Sequence, residues 1–364
     1  MKKIIMGFAV ISVALAGVFA EEQRGLSGAS DSGGTARIIP DDPVLTHEAV
    51  EYYKKLTAPL QTLKEANYNY AKSVTRIRRV RKIEKSRQEQ LRAITSISKQ
   101  MKKYGPLRDD DTLRSEIVRY LDLTYIVLKR DFDKILDMED IEAQSYDRDE
   151  AHQLAIDLAV EKLNATFNIM RKAEKAYFRK YQINVTETKD EMSLKIERAN
   201  KAIEYYNGIY RIFFKVNKED SYARKALAEK DVAALEQHLT TLVSFAEECS
   251  EKLKQLSGYE GDDDLLKITI EAVEFYRFEG EKTYPANIEF FIQTDNFQNA
   301  SKKLHAKRES DRTQKDVDEY NNSITVYNKK AAEINKINKI SYKKQNDFVK
   351  RWNSVVDRFF RKHS

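Results

Sequence analysis

The chain has 364 residues, 34% of them charged, with 64 Lys and Arg against 58 Asp and Glu. So small an excess in so charged a chain does not by itself imply a polyanionic partner. Cys249 is the single cysteine, which excludes an intrachain disulfide, and with only scattered histidines (47, 152, 238, 305 and 363) a zinc centre is not expected.

At the N-terminus Lys2 and Lys3 precede the apolar stretch Ile4 to Ala16, and Val18 and Ala20 are small. This order of basic, apolar and small residues predicts a secretory signal over 1–20, cut after Ala20. The alternative is an uncleaved N-terminal anchor. Cleavage leaves 364 − 20 = 344 residues with a charge of (64 − 2) − 58 = +4, exported to the periplasm or the outer cell surface. No later segment approaches the roughly 18 apolar residues of a membrane span, so no transmembrane segment is expected in the mature chain. Residues 21–43, rich in Gly, Ser and Asp, read as a flexible linker. Its "DSGGT" superficially resembles a serine-protease nucleophile loop. A triad is recognised by geometry, and the rest of the chain carries no strand pattern to build it.

From residue 44 onward five glycines and three prolines remain, which predicts long helices and an all-α fold. Leu113, Ile117, Tyr120, Leu121, Tyr125, Leu128, Phe132 and Ile135 recur at helical spacing and form one apolar stripe. Leu154, Leu158, Leu163, Phe167, Met170, Tyr177 and Tyr181 form another, whose tyrosines are expected at the core edge with wet hydroxyls. "AVEYY" at 49–53 and "AIEYY" at 202–206 stand 202 − 49 = 153 residues apart. Gly105 and Gly258, Asp109–Asp111 and Asp262–Asp264, and Leu113 and Leu266 keep that step. Two tandem, related antiparallel bundles are therefore expected over 44–185 and 186–364, elongated, either in series or sharing a long helix. They meet in the polar stretch 184–196. Pairing Phe178 with Phe348 widens the step to 170, which predicts an insertion of about 17 residues around 281–315.

The paired "DDD" runs, 109–111 and 262–264, invite a metal reading. Their position, after a glycine suited to a left-handed helix end and before an apolar helical stripe, predicts helix starts instead, with Asp accepting from free backbone N–H groups.

The run "SVTRIRRVRKIEKSRQEQL" followed by "KKYGPLRDDDTLRSEIVRYLDLTYIVLKRDFDKILDMEDIEAQSYDRDEA", with "IEYYNGIYRIFFK" and "KRESDRTQKDVDEYN" later, is similar to a family of exported bacterial helical proteins. That family is common in Bacteroidetes and carries a "surface protein" label. The resemblance covers nearly all of the mature chain. It implies an exported all-helical protein and brings no catalytic residue, cofactor or established activity with it. Gly261-Asp262 keeps the family's Gly-Asp turn pair, whereas the first copy has Arg108-Asp109.

Arg76, Arg78, Arg79, Arg81, Lys82, Lys85 and Arg87 stand against one acid, Glu84, and are threaded by Val74, Ile77, Val80 and Ile83. One helix face can then be buried while the others stay cationic. The functional reading is an anion-binding face for lipopolysaccharide or an acidic glycan. The plainer reading is a solvated face balanced by the acidic stretch 137–150. The basic run has no base-stacking aromatics, so a specific nucleic-acid partner is not expected. The acidic stretch lacks the Gly and the ligand frame of a calcium loop. Cys249 reads as a packing residue rather than a nucleophile. No catalytic, cofactor-binding or metal residue is assigned. The expectation is an exported, non-enzymatic helical protein that binds envelope components, an anionic glycan or another protein, or serves as a structural element. An adhesin-like module using the 76–87 face is the first rival, and an enzyme whose bundle site carries no motif is the second.

Overall fold

The computed structural model describes residues 42–75, 80–131, 146–184 and 190–364. The expected signal segment, the linker up to residue 41, Arg76, Arg78, Arg79, Phe132, Ile135 and the acidic residues 137–145 lie outside these residues. The described residues are all-α, without a strand among them. They form two compact units, one of residues 42–205 with 360–364 and one of residues 206–359.

The first unit begins with α1 (Pro43–Thr57). Asp42 caps it, its Oδ1 accepting from the N–H groups of Val44 and Leu45 at 3.1 and 3.0 Å, with Pro43 in the first turn. A turn at Ala58-Pro59 separates α1 from α2 (Leu60–Thr75). There follow α3 (Val80–Met101), α4 (Thr112–Ile126) and α5 (Tyr146–Lys180). Successive helices pack as antiparallel neighbours, α2 on α3, α3 on α4 and α4 on α5. α1 lies on α5, where the Tyr177 hydroxyl donates to the Ala49 carbonyl at 2.8 Å and the Tyr53 hydroxyl to Glu174 at 2.7 Å. The Tyr177 hydroxyl is thus bonded inside the core rather than wetted at its edge. Leu163, Met170, Tyr177 and Tyr181 are buried as the stripe predicts, but Leu154 and Leu158 are 60% and 46% exposed.

α6 (Glu191–Glu229) belongs to the first unit up to Tyr205 and to the second from Tyr206. The second unit continues with α7 (Val232–Lys254), α8 (Asp264–Phe278), α9 (Tyr284–His305) and α10 (Gln314–His363), which it contains up to Phe359. Its core is aromatic: Phe213 lies 5.1 Å from Trp352 and 5.8 Å from Tyr276, and Phe348 lies 5.9 Å from Trp352. Beyond this core α9 and α10 continue as a helical hairpin through Phe290, Phe297, Tyr320 and Tyr327. From residue 289 to 340 that hairpin buries only Leu304 and Ile334. The segment 281–315 forms α9 and the hairpin tip, where Lys307 bonds Asp316 at 2.7 Å.

The two "DDD" turns share one geometry. Leu107 and Asp110 exchange backbone hydrogen bonds of 3.1 and 2.9 Å, and Tyr259 and Asp262 do so at 3.0 and 2.9 Å. Asp110 and Asp262 each accept, through Oδ1, the N–H two residues on, from Thr112 at 3.0 Å and Asp264 at 3.1 Å. Equivalent aspartates therefore stand 262 − 110 = 152 residues apart, not 153. The buried positions obey the same step, since Leu113, Ile117, Leu121 and Thr124 match Leu265, Thr269, Val273 and Tyr276. Both helices then run into a π-helical turn, Val127–Asp131 and Glu279–Thr283. The 153 step holds earlier, where Ala49 and Ala202, and Tyr53 and Tyr206, are all buried. In α5 and α10 burial pairs Tyr177 with Phe348 and Tyr181 with Trp352, a step of 348 − 177 = 171.

Gly105 and Gly258 do not take the expected left-handed conformation. That role falls to Arg108 (φ 52°), Glu260 (φ 50°) and Gly261 (φ 81°). Gly258 is needed for a different reason: a Cβ there would stand 2.0 Å from Asp263 Oδ1 and 2.8 Å from the Asp262 carbonyl oxygen, while Gly105 faces open space.

Candidate functional site

Of the basic run, Lys82 and Lys85 face solvent but Arg87 does not. Its side chain is 3% exposed and donates to Glu84 at 2.8 and 2.9 Å and to the Leu128 carbonyl at 2.6 Å. Leu128 lies in the first π-helical turn, where the regular ladder is interrupted and an outside donor is welcome. Burial raises the Glu84 carboxyl, but hydrogen bonds from Arg87 and Gln88 outweigh it and hold the group low. Arg87 is therefore withdrawn from any outward anion-binding face. The Arg81 side chain lies outside the described residues, as do Arg76, Arg78 and Arg79.

Two shallow clefts carry charge. One of about 510 Å³ in the first unit is lined by Lys102, Arg114, Arg119, Asp122 and Ile126, and its cations pair with Asp122, Asp111 and Glu116. One of about 200 Å³ in the second unit sets Arg211, Lys215 and Lys252 around Phe245 and Cys249. Cys249 is 3% exposed, its thiol donates to the Ile212 carbonyl at 3.3 Å, and burial pushes its pKa up to about 12. A thiol so held is not a nucleophile at neutral pH. Among the described residues, no three His, Cys, Asp or Glu side chains converge as metal ligands would.

The most unusual chemistry is buried in the second unit. Asp220 and Glu279 are 4% and 1% exposed, and Arg224 reaches both, at 2.6 Å and 3.3 Å. The Tyr284 hydroxyl donates to Asp220 Oδ1 at 2.6 Å, Thr283 to Glu279 Oε1 at 3.0 Å, and Ser341 to Glu279 Oε2 at 2.7 Å. Burial pushes both carboxyls above their ordinary values; Arg224, with Tyr284 at Asp220 and with Ser341 and Thr283 at Glu279, opposes this without overcoming it. Glu279 opens the second π-helical turn, where such irregularities often accompany function. The network joins α6, the π-helical turn, α9 and α10. At the corresponding place in the first unit, 220 − 67 = 153 residues earlier, stands the neutral Asn67, accepting from Gln90 at 3.0 Å.

Compared with family models, curated proteins and solved structures, the chain gives no match.

The Asp220–Arg224–Glu279 network was not readable in the sequence, because each of its residues looks like any other charge in a chain this charged. A second feature had a signal that was there to be found. Lys329, Lys336, Lys343 and Lys350 repeat every seven residues along α10, and all are exposed.

Proposed function

We propose that this chain is an exported, non-enzymatic helical protein of the bacterial envelope or cell surface, acting by binding, and built from two copies of one helical unit. The observation that carries the non-enzymatic reading is the closure of the perturbed acids. Both oxygens of Asp220 and of Glu279 are bonded to neighbouring side chains, so neither acid is aimed at a cleft. A catalytic carboxylate needs hydrogen-bond reach to a substrate proton. The matching turns at Leu107–Asp110 and Tyr259–Asp262 support the duplication. Export is supported by the order of residues over 1–20 and by the family resemblance. No described helix is long and apolar enough to cross a membrane.

Protease applied to intact cells tests the location. Loss of the protein under shaving, with a cytosolic control spared, supports surface display. Protection that ends on release of the periplasm supports a periplasmic protein. Recovery with the cytosolic fraction overturns the reading. Metal analysis of the purified chain tests the non-enzymatic part, which a stoichiometric bound metal would contradict.

A further inference from the structure

Many surface lysines of this chain are placed beside acids, as in Lys195–Glu191 at 2.6 Å, Lys201–Glu197 at 3.0 Å and Lys254–Glu251 at 2.6 Å, and others, such as Lys99 and Lys103, stand singly on the surface. On α10 lysines without an acid partner are instead drawn into a line. Lys329, Lys336, Lys339, Lys343 and Lys350 are exposed and have no ion pair, hydrogen bond or ring contact. At 100° per residue the five fall within an arc of about 80°, and from the first to the last they span about 31 Å. Residues separated by a heptad repeat there at about 10.5 Å. Asp347 lies at the edge of the arc, and Glu333, just outside it, is taken by Lys330 at 3.2 Å. Lys336, Lys339 and Lys343 stand three and four residues apart, a spacing at which like charges repel along a helix, so the fold gains nothing from collecting those three on one line.

From this surface we infer that α10 binds a linear acidic polysaccharide carrying one carboxylate per disaccharide. The inference rests on the binding role proposed above and gives that role a ligand class and a place. Three features select the ligand. The charge is dilute, about one cation per 8 Å along the axis by helical rise, whereas duplex nucleic acid presents one anion per roughly 1.7 Å. Every cation of the line is lysine, a hydrated point charge that pairs with an isolated anionic group without the bidentate geometry of the arginine fork. Sugar-compatible groups flank the line: Asn335 and Asn346 are exposed for hydroxyl groups, and Tyr342, 69% exposed, offers an open ring face. Within the arc the exposed apolar surface is Ala332 alone, with Ile340 about 20° outside it, too little to seat the helix in lipid.

The test uses the full mature chain on immobilised hyaluronan, an alternating uronate polymer, with neutral dextran, duplex DNA and phosphatidylglycerol vesicles alongside. The expected result is retention on hyaluronan that falls as salt rises, with none on dextran. Lys336→Gln, Lys339→Gln and Lys343→Gln together should weaken binding at least tenfold with an unchanged melting temperature. Tighter binding to DNA or vesicles than to hyaluronan would overturn the ligand assignment. A triple variant that binds like the parent would overturn the surface assignment. Loss of binding only in Arg78→Glu with Arg81→Glu would also overturn it, while leaving the proposed binding role standing. Absence of hyaluronan binding in a protein shown by shaving to be exported would defeat this inference alone.

Discussion

The hydroxyl of Tyr284 donates to the buried carboxylate of Asp220 across 2.6 Å, tying the first turn of α9 to the C-terminal third of α6. That bond is one edge of a network in which a single arginine serves two buried acids. It sets the second unit apart from the first, where the neutral Asn67 stands at the place of Asp220 and accepts from Gln90.

Removing the shared cation leaves two buried carboxylates without their partner. Arg224→Met should therefore destabilise the chain by about 3–5 kcal/mol. Glu279→Gln keeps the Asp220–Arg224 pair and removes a neighbouring like charge, so it should be neutral or stabilising within about 1 kcal/mol at pH 7. Urea unfolding of both variants checks the contrast. Equal losses would show that Glu279 must be charged.

Acid should act in opposite directions on Asp190 and Asp110 in the first unit and on the Asp220–Glu279 network in the second. In the first, burial raises Asp190 but Lys64 and Ser193 outweigh it and bring its pKa to about 2, below its ordinary 3.8. Such a group stabilises the fold above its unfolded value, and that contribution, on the order of 2 kcal/mol, is lost as pH falls from about 4 toward 2. Asp110 behaves likewise, since hydrogen bonds from Lys180, Thr112 and Tyr181 overcome the effect of its burial. In the second unit Asp220 and Glu279 are raised, chiefly by burial. Their stabilising contribution is complete below the unfolded values and is lost as pH rises through the folded ones. Amide exchange around Asp220 and Glu279, corrected for intrinsic rate, should be slower at pH 4.5 than at pH 7.5. Glu279→Gln should flatten that difference.

Gly258→Ala forces a methyl against Asp263 and the Asp262 backbone, which should lower stability by about 1–3 kcal/mol. Gly105→Ala meets nothing within 4 Å and should change stability by less than about 0.5 kcal/mol. Thermal melts of the two variants test this, and equal effects would mean that the turns do not differ as described.

Cys249 should resist iodoacetamide at pH 8 in the folded chain and react freely in urea, because burial holds its thiol neutral. Mass spectrometry over a time course checks both arms. Rapid labelling of the folded protein would restore a reactive role to this residue.

The fold class was legible because Leu113, Ile117, Tyr120 and Leu121 keep helical spacing and glycine is scarce. The helix-start role of the aspartate turns was legible too, since Asp110 and Asp262 do bond backbone N–H groups. The register of the second turn was not. Identical "DDD" letters align at 153, whereas burial and the turn hydrogen bonds align at 152, and sequence identity carries no information about which aspartate folds inward. Leu154 and Leu158 show the same limit, because spacing places residues on a face without saying whether that face is covered. Arg87 failed as a surface charge because the π-helical turn that needs its guanidinium has no sequence signature. The lysine line on α10 was in plain view as a seven-residue repeat, hidden only by the higher density of charge at 76–87.

The measurement that bears most directly on the proposed role is the mass of the N-terminal peptide of the protein recovered from its own cells. An exported protein cut after Ala20 should begin at Glu21 and appear in the periplasmic or surface fraction. A chain recovered from the cytosol and still beginning at Met1 would contradict the proposal.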